Sequence, residues 1–275
     1  MVNNPLQQFF RQPKIFISLP SLGVYNNPGV IQGDVSSLPV YGMTGMDEIL
    51  MKTPDALMTG DSTVKVIESC CPAIKDGWDV STLDVNLILI AIRIATYGDS
   101  LEVTHTCTHC ETENNYDIKL TALIDHYNTF KYDNRLVLKD LSISVKPLNY
   151  KQSTAFSLKN FELQQKVSQI QTISDTLERN ALVAALFQDL SVLQKELFKE
   201  SIESIHIGTM EVTEQEYINE WLNNCDQSYY ESIKKHINLT KDSIQIPPFT
   251  VNCGECSKEN YITIDLDQSN FFGKA

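Results

Sequence analysis

The chain runs to 275 residues, of which 42% are hydrophobic and 21% charged, and 35 acidic against 22 basic side chains set a net charge of −13. That length can bury one large core or two smaller ones, and the apolar share excludes disorder for the body of the chain. The acidity works against nonspecific nucleic-acid binding, because no local basic patch offsets it.

Residues 1–14 lack the charged start and apolar run of a secretory signal and are expected to form a flexible lead. Residues 15–43 read as short strands broken by Pro and Gly, with a turn at Asn26-Asn27-Pro28-Gly29. Thr44 and Asp47 have capping-box spacing, and the helix they open should stop before Pro54. A second helix is predicted from Asp61 or Ser62 to Cys71, halted by Pro72, and a third over Leu83–Tyr97. The third is apolar on nearly every face, which marks the centre of a core, and Gly98 is placed to cap it. Its most apolar run, Leu87–Ala95, is too short to span a bilayer and carries Arg93. Leu101–Thr104 is strand-like and leads to Cys107, and Tyr116–Leu120 leads away.

A loop holding His126 follows, then Arg135–Leu148 reads as a hairpin turned at Lys139-Asp140. From Lys151 to Leu239 there is no Pro and one Gly, Gly208, so the stretch is predicted to be almost wholly helical. Asp175 with Glu178 marks one helix start, and Thr213 with Glu216 forms the capping-box pattern of another. The run ALVAALFQDLSVLQKELF has a helical apolar stripe, which reads as a bundle face or a partner-binding stripe. Pro247-Pro248 ends the region.

Seven cysteines are present: Cys70, Cys71, Cys107, Cys110, Cys225, Cys253 and Cys256. An odd count without an export signal argues against a disulfide framework, and Cys70, Cys71 and Cys225 read as small buried residues. The other four belong to a repeat. Residues 107–120, CTHCETENNYDIKL, and 253–266, CGECSKENYITIDL, share both cysteines, Glu113/Glu259, Asn114/Asn260 and Leu120/Leu266 at equal offsets. A C-x-x-C turn places two thiolates on one side of a tight loop, which is half of a tetrahedral zinc site. Two such turns face to face complete it from Cys107, Cys110, Cys253 and Cys256. A structural Zn2+ is the favoured reading; a redox dithiol, an iron–sulfur cluster and metal-free buried cysteines are the alternatives. His105 and His109 could each replace a Cys, but with four sulfurs at hand they read as surface or supporting residues. The Asn side chains are expected to hydrogen-bond the turn backbone and the Leu side chains to anchor the strands. Four thiolates leave no open coordination position, so such a site holds structure. No G-x-G-x-x-G, P-loop, H-E-x-x-H or G-x-S-x-G pattern occurs, and no enzyme is expected.

LPSLGVY at Leu19–Tyr25, GMTGMDEIL at Gly42–Leu50, TPDALMTGDSTVKVIESCCP at Thr53–Pro72 and LILIAIRIATYGDSLEV at Leu87–Val103 run in this order into the first C-x-x-C. Together these blocks resemble the baseplate hub and hub-assembly proteins of T-even-type contractile-tail bacteriophages. The turns depart from the usual zinc knuckle: CTHCE and CGECS have no Gly after the second Cys. The resemblance implies a role in building the distal end of the tail tube, with other baseplate hub and tail proteins and the tape-measure protein as partners. It implies synthesis in the host cytoplasm and a place in the virion tail baseplate. An assembly chaperone that leaves before maturity is the alternative; a zinc-ribbon nucleic-acid binder or zinc enzyme is a weaker one. No nucleic acid, membrane or small-molecule substrate is expected.

The expected fold class is α+β: a zinc-ribbon-like β module from two C-x-x-C halves, with N-terminal strands and helices and a large helical insertion. The expected divisions are 1–14 lead, 15–100 strand and helical region, 101–150 first ribbon half and hairpin, 151–240 helical insertion, and 241–275 second ribbon half and tail.

Overall fold

The computed structural model describes residues 4–53, 59–170, 173, 175–264, 266 and 271–272. It is a mixed α+β protein that divides into two compact units, Met1–Lys131 with Ile244–Ala275, and Tyr132–Ser243.

In the first unit, strands β1 (Pro13–Ile17) and β2 (Leu38–Tyr41) pair antiparallel, with Ile17 opposite Leu38. Residues 18–37, expected to be largely strand, are instead turns, including the expected one that closes from Val30 N–H to Asn27 O. The reason is a buried anchor. Asp84 accepts hydrogen bonds from the backbone N–H of Ser21 (2.9 Å), the Ser21 hydroxyl and the Asn26 amide (3.2 Å), and so pulls the connection inward. Helix α1 (Gly45–Met51) opens with the expected capping box between Thr44 and Asp47. It ends at Met51; Pro54 lies outside the described residues. Helix α2 covers Asp61–Cys70 and helix α3 covers Thr82–Tyr97, where Gly98 at φ +93° closes the last turn onto Ile94 O. Leu83, Leu87, Ile88, Ile90 and Ile92 of α3 are all 1% exposed or less. This all-round burial makes α3 the centre, packed against β1, β2, α2 and helix α4 (Thr121–Thr129).

Two expectations change here. The segment around His126 is helix α4, not a loop: the Asp99 carboxylate accepts from the Thr121 N–H (2.7 Å) and hydroxyl (3.1 Å) and caps it, while Leu123 and Tyr127 are buried. In the expected flexible lead, Pro5–Phe9 forms a 3-10 turn and Arg11 is clamped to Gly42 O (2.7 Å), Ser69 O (2.6 Å) and Ser69 Oγ (2.9 Å). Residues 1–3 lie outside the described residues.

The second unit is built on a four-stranded antiparallel sheet in the order β5 (Arg135–Val137), β6 (Ser142–Val145), β7 (Ile202–Ile207), β8 (Met210–Val212). The hairpin expected at 135–148 is β5–β6. Helices α5 (Tyr150–Ile170), α6 (Thr176–Ser201), α7 (Gln215–Asn224) and α8 (Gln227–Ile244) account for much of the expected helical stretch, but β7 and β8 interrupt it. Their turn is at Gly208, φ +60°. Ile143, Val145, Ile202 and Ile205 on one sheet face meet Phe198, Ile218, Leu222 and Ile233 from the helices in a common core. Asp175 caps α6 as expected, accepting from Leu177 and Glu178 N–H. The capping box at Thr213 does not form: Glu214 is the N-cap of α7, and its carboxylate accepts from the Thr213 N–H instead. Among the described residues no helix is long and apolar enough to cross a membrane.

Candidate metal centre

Strands β3 (Ser100–Thr106) and β4 (Glu113–Lys119) pair in register from Ser100 opposite Lys119 to Thr106 opposite Glu113. Strands β9 (Phe249–Asn252) and β10 (Glu259–Ile262) form a second antiparallel hairpin. Each hairpin ends in a C-x-x-C knuckle, and the two knuckles match bond for bond. Cys107 N–H donates to Thr112 O and Cys253 N–H to Lys258 O, both at 2.9 Å. Glu111 N–H donates to Cys107 O and Ser257 N–H to Cys253 O, both at 3.0 Å. The residue after the second Cys turns left-handed in each, Glu111 at φ +61° and Ser257 at φ +56°. The geometry that glycine usually serves is therefore present without glycine, at some local strain.

The shared asparagines explain why the halves come together. Asn260 accepts from Thr108 N–H of the other knuckle (3.0 Å), donates to Lys258 O of its own (3.1 Å) and points its amide at Cys107 Sγ (3.4 Å). Asn114 mirrors it, accepting from Gly254 N–H (3.0 Å), donating to Thr112 O (2.9 Å) and to Cys253 Sγ (3.5 Å). Each half thus satisfies a turn donor of the opposite half. The repeat in the sequence marks both residues but not this exchange, which no local pattern encodes. Of the two expected anchors, Leu120 is fully buried and Leu266 half-buried.

Cys107, Cys110, Cys253 and Cys256 converge so that all four sulfurs lie within 4.8 Å of one another. The separations Cys107–Cys256 and Cys110–Cys253 are 3.7 and 3.6 Å. A regular tetrahedron with Zn–S of about 2.3 Å has edges of about 3.8 Å. The donor set and its spacing fit a tetrahedral thiolate site, and neither His105 nor His109 belongs to the cluster. Backbone N–H groups favour thiolates here. The His109 N–H, with Asn260 among the other donors, lowers Cys107 to about 5, and the Cys256 N–H lowers Cys253. Cys256 goes the other way: the Lys258 N–H lowers it, but burial and the neighbouring sulfurs outweigh that and raise it to about 12. Four sulfurs this close cannot all ionise without a compensating cation. Cys70 and Cys71 are buried, and burial raises both thiols, Cys70 to about 12, so these remain packing residues.

The family described as T4 bacteriophage base plate protein matches residues 45–273, most of the chain and both knuckles. The chain belongs to that family. It is a structural protein of a T4-type phage baseplate, placed in the virion tail and in contact with other baseplate proteins. Neither the curated proteins nor the solved structures give a match.

Proposed function

We propose that this baseplate protein is a hub component whose ribbon is closed by one structural Zn2+ on Cys107, Cys110, Cys253 and Cys256, and that it acts by non-covalent contacts with hub, tail and tape-measure proteins. The observation that carries the metal reading is the near-tetrahedral set of four sulfurs. Zinc bound there would supply structure only, since four thiolates fill its coordination sphere. It would tie residue 107 to residue 256 and make folding of the ribbon depend on metal. The order of the blocks at Leu19–Tyr25, Gly42–Leu50, Thr53–Pro72 and Leu87–Val103 supports the hub assignment.

Mass spectrometry of purified particles and of tail intermediates tests the hub reading. The protein should be present in both; its loss from mature particles would make it an assembly chaperone. Elemental analysis tests the metal, with one zinc per chain expected and none in Cys107→Ser. Iron in place of zinc, or no metal in a folded chain, overturns the assignment.

A further inference from the structure

Helix α3 carries a charge inside its buried belt. Arg93 is 5% exposed, among Ile90, Ala91, Ile92 and Ala95 of the same helix, all 2% exposed or less. Its Nε and Nη1 are buried and have no hydrogen-bond partner, and among the described residues no carboxylate pairs with it. Its cover is aromatic. The guanidinium lies over the rings of Tyr97, 5.3 Å from the centroid, and Phe271, 5.6 Å from the centroid. Phe271 and Phe272 are buried and meet edge to face at 5.3 Å. A ring attracts the cation but answers none of its five in-plane N–H donors with a strong hydrogen bond. Burial accordingly disfavours the charge and lowers the Arg93 pKa, against the neighbouring Tyr97, which raises it. Arg11 of the same unit shows the contrast: more exposed, it still donates to Gly42 O, Ser69 O and Ser69 Oγ. A buried guanidinium without such partners destabilises the fold, and an apolar side chain would serve the packing better.

We propose that Arg93 is a covered docking anchor, which takes an Asp or Glu carboxylate from a segment of another baseplate protein as that segment displaces Phe271 and Phe272. This goes beyond the hub reading and rests neither on it nor on the metal. Two features define the ligand. The unanswered N–H donors call for a planar oxyanion, and a carboxylate matches the guanidinium fork. The rings that fill the site call for more. A buried Phe covers about 150–250 Å², and lifting two of them exposes an area that a small free anion cannot cover. The incoming segment therefore carries an aromatic or aliphatic side chain beside its acid. Phe271 and Phe272 supply the apolar half of that ligand and lack the charged half, so they hold the site without answering its cation. The chain's net charge of −13 slows the approach of an acidic segment. It does not decide the bound state, because exposed charges more than about 8 Å away are largely screened at physiological salt while the buried pair is not.

Calorimetric titration of the full chain with the capped peptides Phe-Phe-Glu and Glu-Phe-Phe, each against its Gln counterpart, tests this. Phe271→Ala with Phe272→Ala removes the competing rings. That variant should bind at least one Glu peptide about tenfold or more tighter than the Gln peptide, the effect of one charged hydrogen bond. The wild type should show the same preference at weaker affinity, because the two rings must first leave. Arg93→Met should abolish the preference in either background, so the wild-type comparison stands even where the double variant does not fold. Alone, Arg93→Met should keep the helical circular dichroism and a Tm no lower than wild type, since it removes an unpaired charge and keeps an apolar stem. Equal affinity for Glu and Gln peptides, or no binding, overturns the proposal. So does a lower Tm in Arg93→Met, which would give the guanidinium a purely structural role. Sodium acetate that raises the wild-type Tm above sodium chloride at equal ionic strength, but not that of Arg93→Met, would make a free anion the ligand and overturn the docking reading.

Discussion

The exchange of asparagines between the knuckles makes an asymmetric prediction. Asn260 is 2% exposed, whereas Asn114 is half-buried. Asn260→Ala removes the acceptor for Thr108 N–H (3.0 Å) and the donor to Lys258 O (3.1 Å), both part-buried bonds made by a side chain that is itself buried. A net hydrogen bond is worth about 1 kcal/mol and an orphaned buried group costs about 1–3 kcal/mol, so the loss should be about 2–4 kcal/mol. In a chain of this size that lowers Tm by about 5–10 °C. Asn114→Ala breaks equivalent bonds where water can substitute, and should cost about 1 kcal/mol. Asn260→Asp separates two roles. It keeps the acceptor for Thr108, but puts a carboxylate where an amide donor faces Cys107 Sγ at 3.4 Å. Like charges at that range disfavour the thiolate, so Asn260→Asp should release zinc to a chromophoric chelator faster than Asn260→Ala does. Thermal unfolding and chelator transfer, run side by side on the zinc-loaded chain, read both effects. The reasoning fails if Asn114→Ala costs as much as Asn260→Ala, or if Asn260→Asp holds zinc as tightly as the wild type.

Three further outcomes follow from the first unit. Burial raises the Asp84 carboxyl above its ordinary value, against the hydrogen bonds from Ser21 and Asn26 that lower it. The unfolded chain therefore loses that proton first as pH rises, and this group's contribution is full below about pH 4 and lost as pH climbs through the raised folded value. Urea titrations should show the stability of the wild type minus that of Asp84→Asn falling from acid to neutral pH; a rise would refute it. A Cβ on Gly42 would sit 2.8 Å from Ala95 O, whereas one on Gly45 meets nothing within 4 Å. Gly42→Ala should thus destabilise by about 1–3 kcal/mol through displacement of α3, and Gly45→Ala by much less, as measured by urea unfolding. Arg11→Lys keeps the charge but cannot reach Gly42 O, Ser69 O and Ser69 Oγ together, so limited proteolysis should cut residues 4–12 faster.

What could be read from the sequence was what is written locally or twice. The C-x-x-C spacing, the capping box at Thr44 and Asp47, the Asp175 cap and Gly98 each act within a few residues, and each appears where expected. The departures have long-range causes. Helix α4 is capped by Asp99, 22 residues upstream, so no local start signal precedes Thr121. The chain at 18–37 is shaped by Asp84, more than 60 residues from Ser21, instead of by its own strand propensity. Strand β7 sits between helix-favouring segments, yet Ile143 opposite Ile205 in the neighbouring strand outweighs that local context, because pairing buries both side chains in one core. The knuckles combine both kinds of information. Their sulfurs were legible because each turn carries its own pair. The hydrogen bonds that dock one turn on the other were not, because Asn114 and Asn260 each serve a turn about 140 to 150 residues away. A ribbon built this way cannot complete its first knuckle until the second has been made. Thr108 N–H waits for Asn260, and Cys107 waits for Cys256, so closure of this unit must follow synthesis of the whole inserted segment 132–243.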